Sequence, residues 1–204
     1  SRSFKVLLPI TKTHEEEIER ADGSKEKAYY LEGEASNTEV DTYTTIFSSL
    51  CQEGFKRDIE EGIINVRSYD EENEGNAVLA EAEHDGDMKP MDILGVVDRA
   101  EITRTEDGHS RLVVRIRLDE ANPQAMYYYK AINDPDQSKG RPKKLGLSIR
   151  GWVIDARNEF NSQLGYDITV FDRVQLTFIG IVRHPGNRST WGNTLKRSAA
   201  SLLQ

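Results

Sequence analysis

A chain of 204 residues, with 37% hydrophobic and 30% charged side chains, has room for one core wrapped in long polar segments. The formal net charge of -8 argues against a general nucleic-acid binder, which would carry a basic face. No apolar run is long enough to span a bilayer, no signal peptide is read, and the single cysteine, Cys51, leaves no intramolecular disulfide and fits a reducing, cytoplasmic setting.

Phe4 to Pro9 is a short apolar stretch and reads as a first strand. His14 to Lys27 is dense in charge and carries Asp22-Gly23, a turn signal. Tyr29 to Ala35 reads as a strand. Thr44 to Glu61 reads as helical, because Ile46, Phe47, Leu50, Phe55 and Ile59 recur at roughly helical spacing. Gly33, Gly54 and Gly62 stand alone in polar contexts and look like turn residues; no phosphate-binding glycine loop is present. Ile63 to Arg67 is a strand, Asp70 to Asn76 an acidic loop, and Ala77 to Glu83 a partly alternating strand leading to His84. A further loop runs to Pro90.

Ile93 to Ile102 and Arg111 to Leu118 are strands joined through Asp107-Gly108, and this is the strongest hairpin signal in the chain. Pro123 to Asn133 reads as a helix with proline near its start, where a missing N–H costs least. The basic run Lys139 to Lys144 reads as a solvated loop. Leu145 to Ile154 is a strand holding Gly146 and Gly151, and glycine within a strand admits a close backbone approach. Asp167 to Val182 is a long apolar strand, ended by His184-Pro185-Gly186-Asn187, and the tail from Thr190 to Gln204 reads as a helix. Seven or more strands with two or three helices predict an α+β domain, a mostly antiparallel β-barrel or sheet surrounded by helices.

Two residues draw attention as chemistry. Ser148, in Gly146-Leu147-Ser148-Ile149-Arg150-Gly151, lies on a strand among small neighbours. His84 closes an earlier strand in Glu81-Ala82-Glu83-His84. A serine hydroxyl becomes a useful nucleophile when an imidazole takes its proton. Asp85 and Asp87 follow His84, but one histidine and two loop carboxylates make a poor metal set, and no metal is expected.

In order along the chain, Glu81 to His84 with Ile93-Leu94-Gly95-Val96-Val97-Asp98, then the Ser148 segment, then the Pro185-Gly186-Asn187 turn resemble the prohead maturation proteases of tailed bacteriophages. Those are similar in fold and mechanism to herpesvirus assemblins. The resemblance covers roughly residues 29 to 190 and implies one protease domain over 1–204, with an N-terminal arm and a C-terminal helix flanking an assemblin-like core. It implies Ser148 as nucleophile and His84 as base, with Arg150 and Arg183 as oxyanion candidates.

The third member departs from the family pattern. Aligned from the turn, it falls near Phe178 or Gly180, neither of which orients an imidazole. Asp172 and His184 are the candidates, with Asp172 ahead because an anion stabilises imidazolium directly; Asp98 is a further carboxylate. By resemblance the substrates are scaffold and major capsid proteins inside the phage prohead, in the host cytoplasm. No cofactor, membrane or direct nucleic-acid partner is implied, and a homodimer is, by analogy with assemblins. The alternative is a catalytically inactive relative that serves as a capsid-assembly or scaffold-binding protein.

Overall fold

The computed structural model describes residues 7–38, 44–69, 93–106, 108–134 and 145–183. Among these, β1 (Leu7–Glu19), β2 (Lys25–Asn37), β3 (Thr45–Phe47), α1 (Ser49–Glu61), β4 (Asn65–Tyr69), β5 (Ile93–Arg104), β6 (Ser110–Leu118), α2 (Pro123–Asn133), β7 (Leu145–Asn161) and β8 (Tyr166–Arg183) follow one another. All eight strands belong to one sheet in the order β3-β8-β4-β5-β6-β2-β1-β7, and β7 also pairs with β8. That last pairing makes a ring of seven strands, a curled sheet with β3 added beside β8. The β3–β8 and β4–β8 pairings are parallel, and the others are antiparallel.

The expected α+β class with surrounding helices is corrected to a mostly β fold. Two helices are present among the described residues, and neither forms a layer around the sheet. The error has a local physical cause: stretches read as loops for their charge are strands. His14 to Lys27 forms the end of β1, a turn at Gly23 (φ 81°) and the start of β2. Its charges pair across the ladder, Lys27 Nζ 2.6 Å from Glu15 and Lys25 Nζ 2.7 Å from Glu17. Opposite charges on facing strands favour pairing instead of opposing it. Likewise, Asp155 to Asn161 continues β7 into a hairpin with β8.

The predicted hairpin at 93–118 is present, and β6 alternates strictly between buried and half-buried residues. The helix predicted from Thr44 begins only at Ser49. Thr45 to Phe47 instead pair with Thr169 to Phe171, and Ser48 caps the helix by accepting from the Cys51 N–H at 3.2 Å. Cys51, Phe55 and Ile59, spaced four apart, turn one face of α1 into the core. There Phe55 and Phe171 both pack on Phe47 (centroids 5.5 and 5.6 Å). Asn122 caps α2, whose Ala125 and Tyr128 join the same cluster.

Two glycines show why a close approach was needed. A Cβ on Gly151 would lie 2.3 Å from the Gln175 carbonyl oxygen, so it is the neighbouring strand that comes close here. Gly54, expected in a turn, lies inside α1, where a Cβ would sit 3.0 Å from the Arg173 guanidinium. That guanidinium reaches both carboxylate oxygens of Asp58, at 2.9 and 2.6 Å, and Asp58 also accepts from the Leu176 N–H at 2.8 Å, tying α1 to β8.

Cys51 is fully buried, and desolvation pushes its thiol pKa up to about 12. A thiol reagent at pH 8 is expected to leave the native protein unlabelled and to modify one thiol per chain after denaturation. Rapid native-state labelling, read by absorbance, would show that α1 opens from the sheet.

Candidate functional site

Ser148 lies near the start of β7, between Leu147 and Ile149, both fully buried in the core. Its backbone is paired with Leu7 of β1 on one side and Gly180 of β8 on the other. Gly180 is paired in turn with Arg67 of β4. One lateral row of the sheet therefore reads Leu7, Ser148, Gly180, Arg67. At about 4.8 Å between strands, the Ser148 and Arg67 backbones stand roughly 10 Å apart, with a glycine between them.

Two residues back along β8 is Phe178, paired with Arg150 of β7 and Asn65 of β4. Val66, Ile149, Ile179 and Ile181 point into the core, so strand alternation sends Arg67, Arg150 and Phe178 to the opposite face. Both arginines are nevertheless only 8% exposed. The Arg67 guanidinium carbon lies 5.0 Å from the centre of the Phe178 ring.

Of the residues singled out in the sequence, Arg150 is thus two positions from Ser148 on the same strand. Arg183 ends β8, its backbone paired with Leu145. His84 and His184 lie outside the described residues. Asp98 sits on β5 and holds Arg115 through two hydrogen bonds of 3.1 and 2.8 Å.

Asp172 is on β8 but eight residues before Gly180, roughly 25 Å along an extended strand at about 3.3 Å per residue. The structure does not bring it to Ser148. Its carboxylate accepts from Arg157 Nε at 2.8 Å and is hydrogen-bonded to the Ser48 hydroxyl, next to the α1 cap. Burial acts to raise the Asp172 pKa, but Ser48 and Arg157 outweigh it and hold the carboxyl below its ordinary value. A depressed carboxylate contributes stability in full above its unfolded pKa and loses it as pH falls through the lower folded value. Asp172→Asn is expected to shallow the acid limb of a stability–pH curve below about pH 4, measured by urea unfolding. An unchanged acid limb would remove Asp172 from that role.

Arg67 was not visible in the sequence as part of this group. In Asn65-Val66-Arg67-Ser68-Tyr69 it reads as the solvated side of a strand, and the parallel pairing that sets it beside Gly180 joins segments more than a hundred residues apart. Among the described residues, no cluster of three or more histidine, cysteine, aspartate or glutamate side chains is set to hold a metal ion, and no helix is long and apolar enough to cross a membrane. The site and sheet define a curled, mostly antiparallel β-domain with two buried arginines beside a strand serine. Comparison with protein-family models, with curated proteins and with solved structures finds no match.

Proposed function

We propose that the chain is a serine endopeptidase of the prohead-maturation type, with Ser148 as nucleophile and His84 as general base. The supporting observation is the local environment of position 148. A glycine lies beside it on β8, and two buried arginines stand close by, Arg150 two residues along β7 and Arg67 two strands away across Gly180. Attack on a peptide carbonyl puts negative charge on its oxygen, and pre-oriented cations in a water-poor site stabilise that charge.

In this mechanism His84 removes the Ser148 hydroxyl proton as Oγ bonds to the scissile carbonyl carbon. Arg150 supports the resulting oxyanion, and Arg183 is the second candidate for that role. His84 returns the proton to the leaving amine, and water then releases the acyl group by the reverse sequence. The third member is His184, which directly follows the last residue of β8, and not Asp172, which is committed to Arg157 and Ser48. The substrates are scaffold and capsid proteins within an assembling phage head, and self-association of the protease belongs to the same reading.

A fluorophosphonate probe tests the nucleophile. It is expected to label the folded protein at Ser148, with labelling abolished in Ser148→Ala and strongly slowed in His84→Ala. Absence of label on the folded wild-type protein would sink the peptidase reading.

A second reading draws on a different observation. Past Arg150, β7 pairs with β8 alone, and this arm exposes Ile154 (61%) and Phe160 (66%). Exposed apolar side chains on a strand that is paired along one edge alone suit a protein that binds other head components without cutting them. Scaffold binding with no labelling of Ser148 would favour that reading.

A further inference from the structure

We propose that the free edge of β7, from Ala156 to Asn161, pairs antiparallel with the same edge of a second copy of this chain, on a two-fold axis through Asn158. The proposal names a surface for the self-association in the peptidase reading, but it rests on the strand alone and does not need Ser148 to be a nucleophile.

Among the described residues the edge is open. β1 pairs with β7 from Leu7 to Pro9, and past Arg150 the strand pairs with β8 alone. Every residue from Ile154 to Phe160 is exposed. An open edge leaves backbone N–H and C=O groups ready to pair with another strand. Lysine, proline and dense like charge are the usual guards. From Lys12 to Glu19, β1 pairs with β2 alone, and that edge is guarded by Glu15, Glu16, Glu17 and Glu19. Ala156 to Asn161 contains no lysine and no proline, and its two charges are of opposite sign, Arg157 and Glu159. It also carries Phe160, 66% exposed.

Symmetry and charge select the register. Two antiparallel neighbours related by a two-fold axis normal to the sheet put one residue opposite its own copy. Irregularities around Val153 to Ala156 break the alternation there, but Ala156 to Asn161 keep unbroken register with Phe171 to Tyr166. An axis at Ala156 draws in the irregular stretch, and one at Phe160 runs into the turn at 162–165. An axis at Arg157 sets two guanidinium groups face to face, and one at Glu159 sets two carboxylates face to face. The axis at Asn158 sets Arg157 opposite Glu159 of the second copy, twice over. It also sets Ala156 opposite Phe160, where the small residue leaves room for the ring. Facing opposite charges favour strand pairing, and facing like charges oppose it. Arg157 already hydrogen-bonds to Glu159 of its own strand and to Asp172, so the pairing joins two such clusters into one network. The ladder is short, so the dimer is expected to be weak and to dissociate on dilution.

Sedimentation equilibrium of the full chain is expected to show a monomer–dimer equilibrium. Glu159→Arg and Arg157→Glu are each expected to dimerise at least about tenfold more weakly, and a mixture of the two to recover association, because every facing pair is then of opposite sign. Asn158→Cys is a second test that changes no charge and decides the matter even if Arg157→Glu does not fold. Cys51 is fully buried, so the new thiol is the one open to oxidation by copper phenanthroline. On the axis it faces its own copy within disulfide range, and a covalent dimer is expected. Ala156→Cys is the control: its copy is displaced by four residues, about 13 Å along the strand, and it is expected to stay monomeric. A wild-type chain that is monomeric at every concentration, a dimer indifferent to both charge reversals, or equal cross-linking at 156 and 158 overturns the proposal. So does a monomer whose β7 edge binds scaffold instead. Fluorophosphonate labelling of Ser148 is read separately, so failure of this pairing and failure of the peptidase reading are told apart.

Discussion

Phe171→Ala is expected to destabilise the protein by about 3–5 kcal/mol, the usual cost of removing a fully buried aromatic side chain. For a chain of this size that lowers Tm by on the order of 10 °C. The ring is 1% exposed and packs on Phe47, which in turn packs on Phe55 of α1. Three elements meet there: β8, the short parallel strand β3 and the first helix. The cavity cannot close readily, because the backbone is pinned on both sides. Phe171 pairs with Phe47 and with Ala156, and its carbonyl accepts from the Ser48 N–H at 3.0 Å. Phe160→Ala on the same hairpin is the control. That ring is 66% exposed, and its loss is expected to change stability by less than about 0.5 kcal/mol. Urea unfolding of both variants measures the difference. Similar destabilisation by the two would mean that the core does not extend to the β3–β8–α1 junction.

The same junction shows which parts of the fold can be read from sequence. Hydrophobic periodicity finds elements whose one face is apolar and whose partner is close in the chain. The β5–β6 hairpin and the buried faces of α1 and α2 are of this kind. Periodicity misses strands whose side chains are charged on the exposed face, because the pattern that stabilises them is set by the partner. Glu15 and Glu17 read as loop residues until Lys27 and Lys25 stand opposite. It also misses parallel pairing between distant segments. β4 is short and β8 long, and nothing in either announces that Asn65 to Tyr69 will lie along Phe178 to Val182. That one pairing moves Arg67 from an ordinary strand position into the row of Ser148. Asp172 illustrates the opposite error. An acidic residue near the end of the chain could be aligned with a catalytic role, but distance along a strand is fixed by its rise, and eight residues separate it from Gly180.

That separation makes the catalytic assignment separable by kinetics. Ser148→Ala and His84→Ala are each expected to lower turnover of a scaffold-derived substrate by at least about a thousandfold, because nucleophile and base act as a unit. His184→Ala is expected to cost less than either, since the third member orients the imidazole without itself forming or breaking a bond. Asp172→Asn should alter turnover by less than about tenfold, as expected for a site far from the reaction. A triad acid, by contrast, is worth on the order of 10⁴-fold. The measurement must be made well below the melting temperature of each variant, because Asp172 also secures Arg157 and the Ser48 cap. A folded Asp172→Asn variant as inactive as Ser148→Ala would require β8 to bend back on itself, contrary to its antiparallel run along β7 from Tyr166 to Arg183. Retained hydrolysis in Ser148→Ala would move the nucleophile elsewhere.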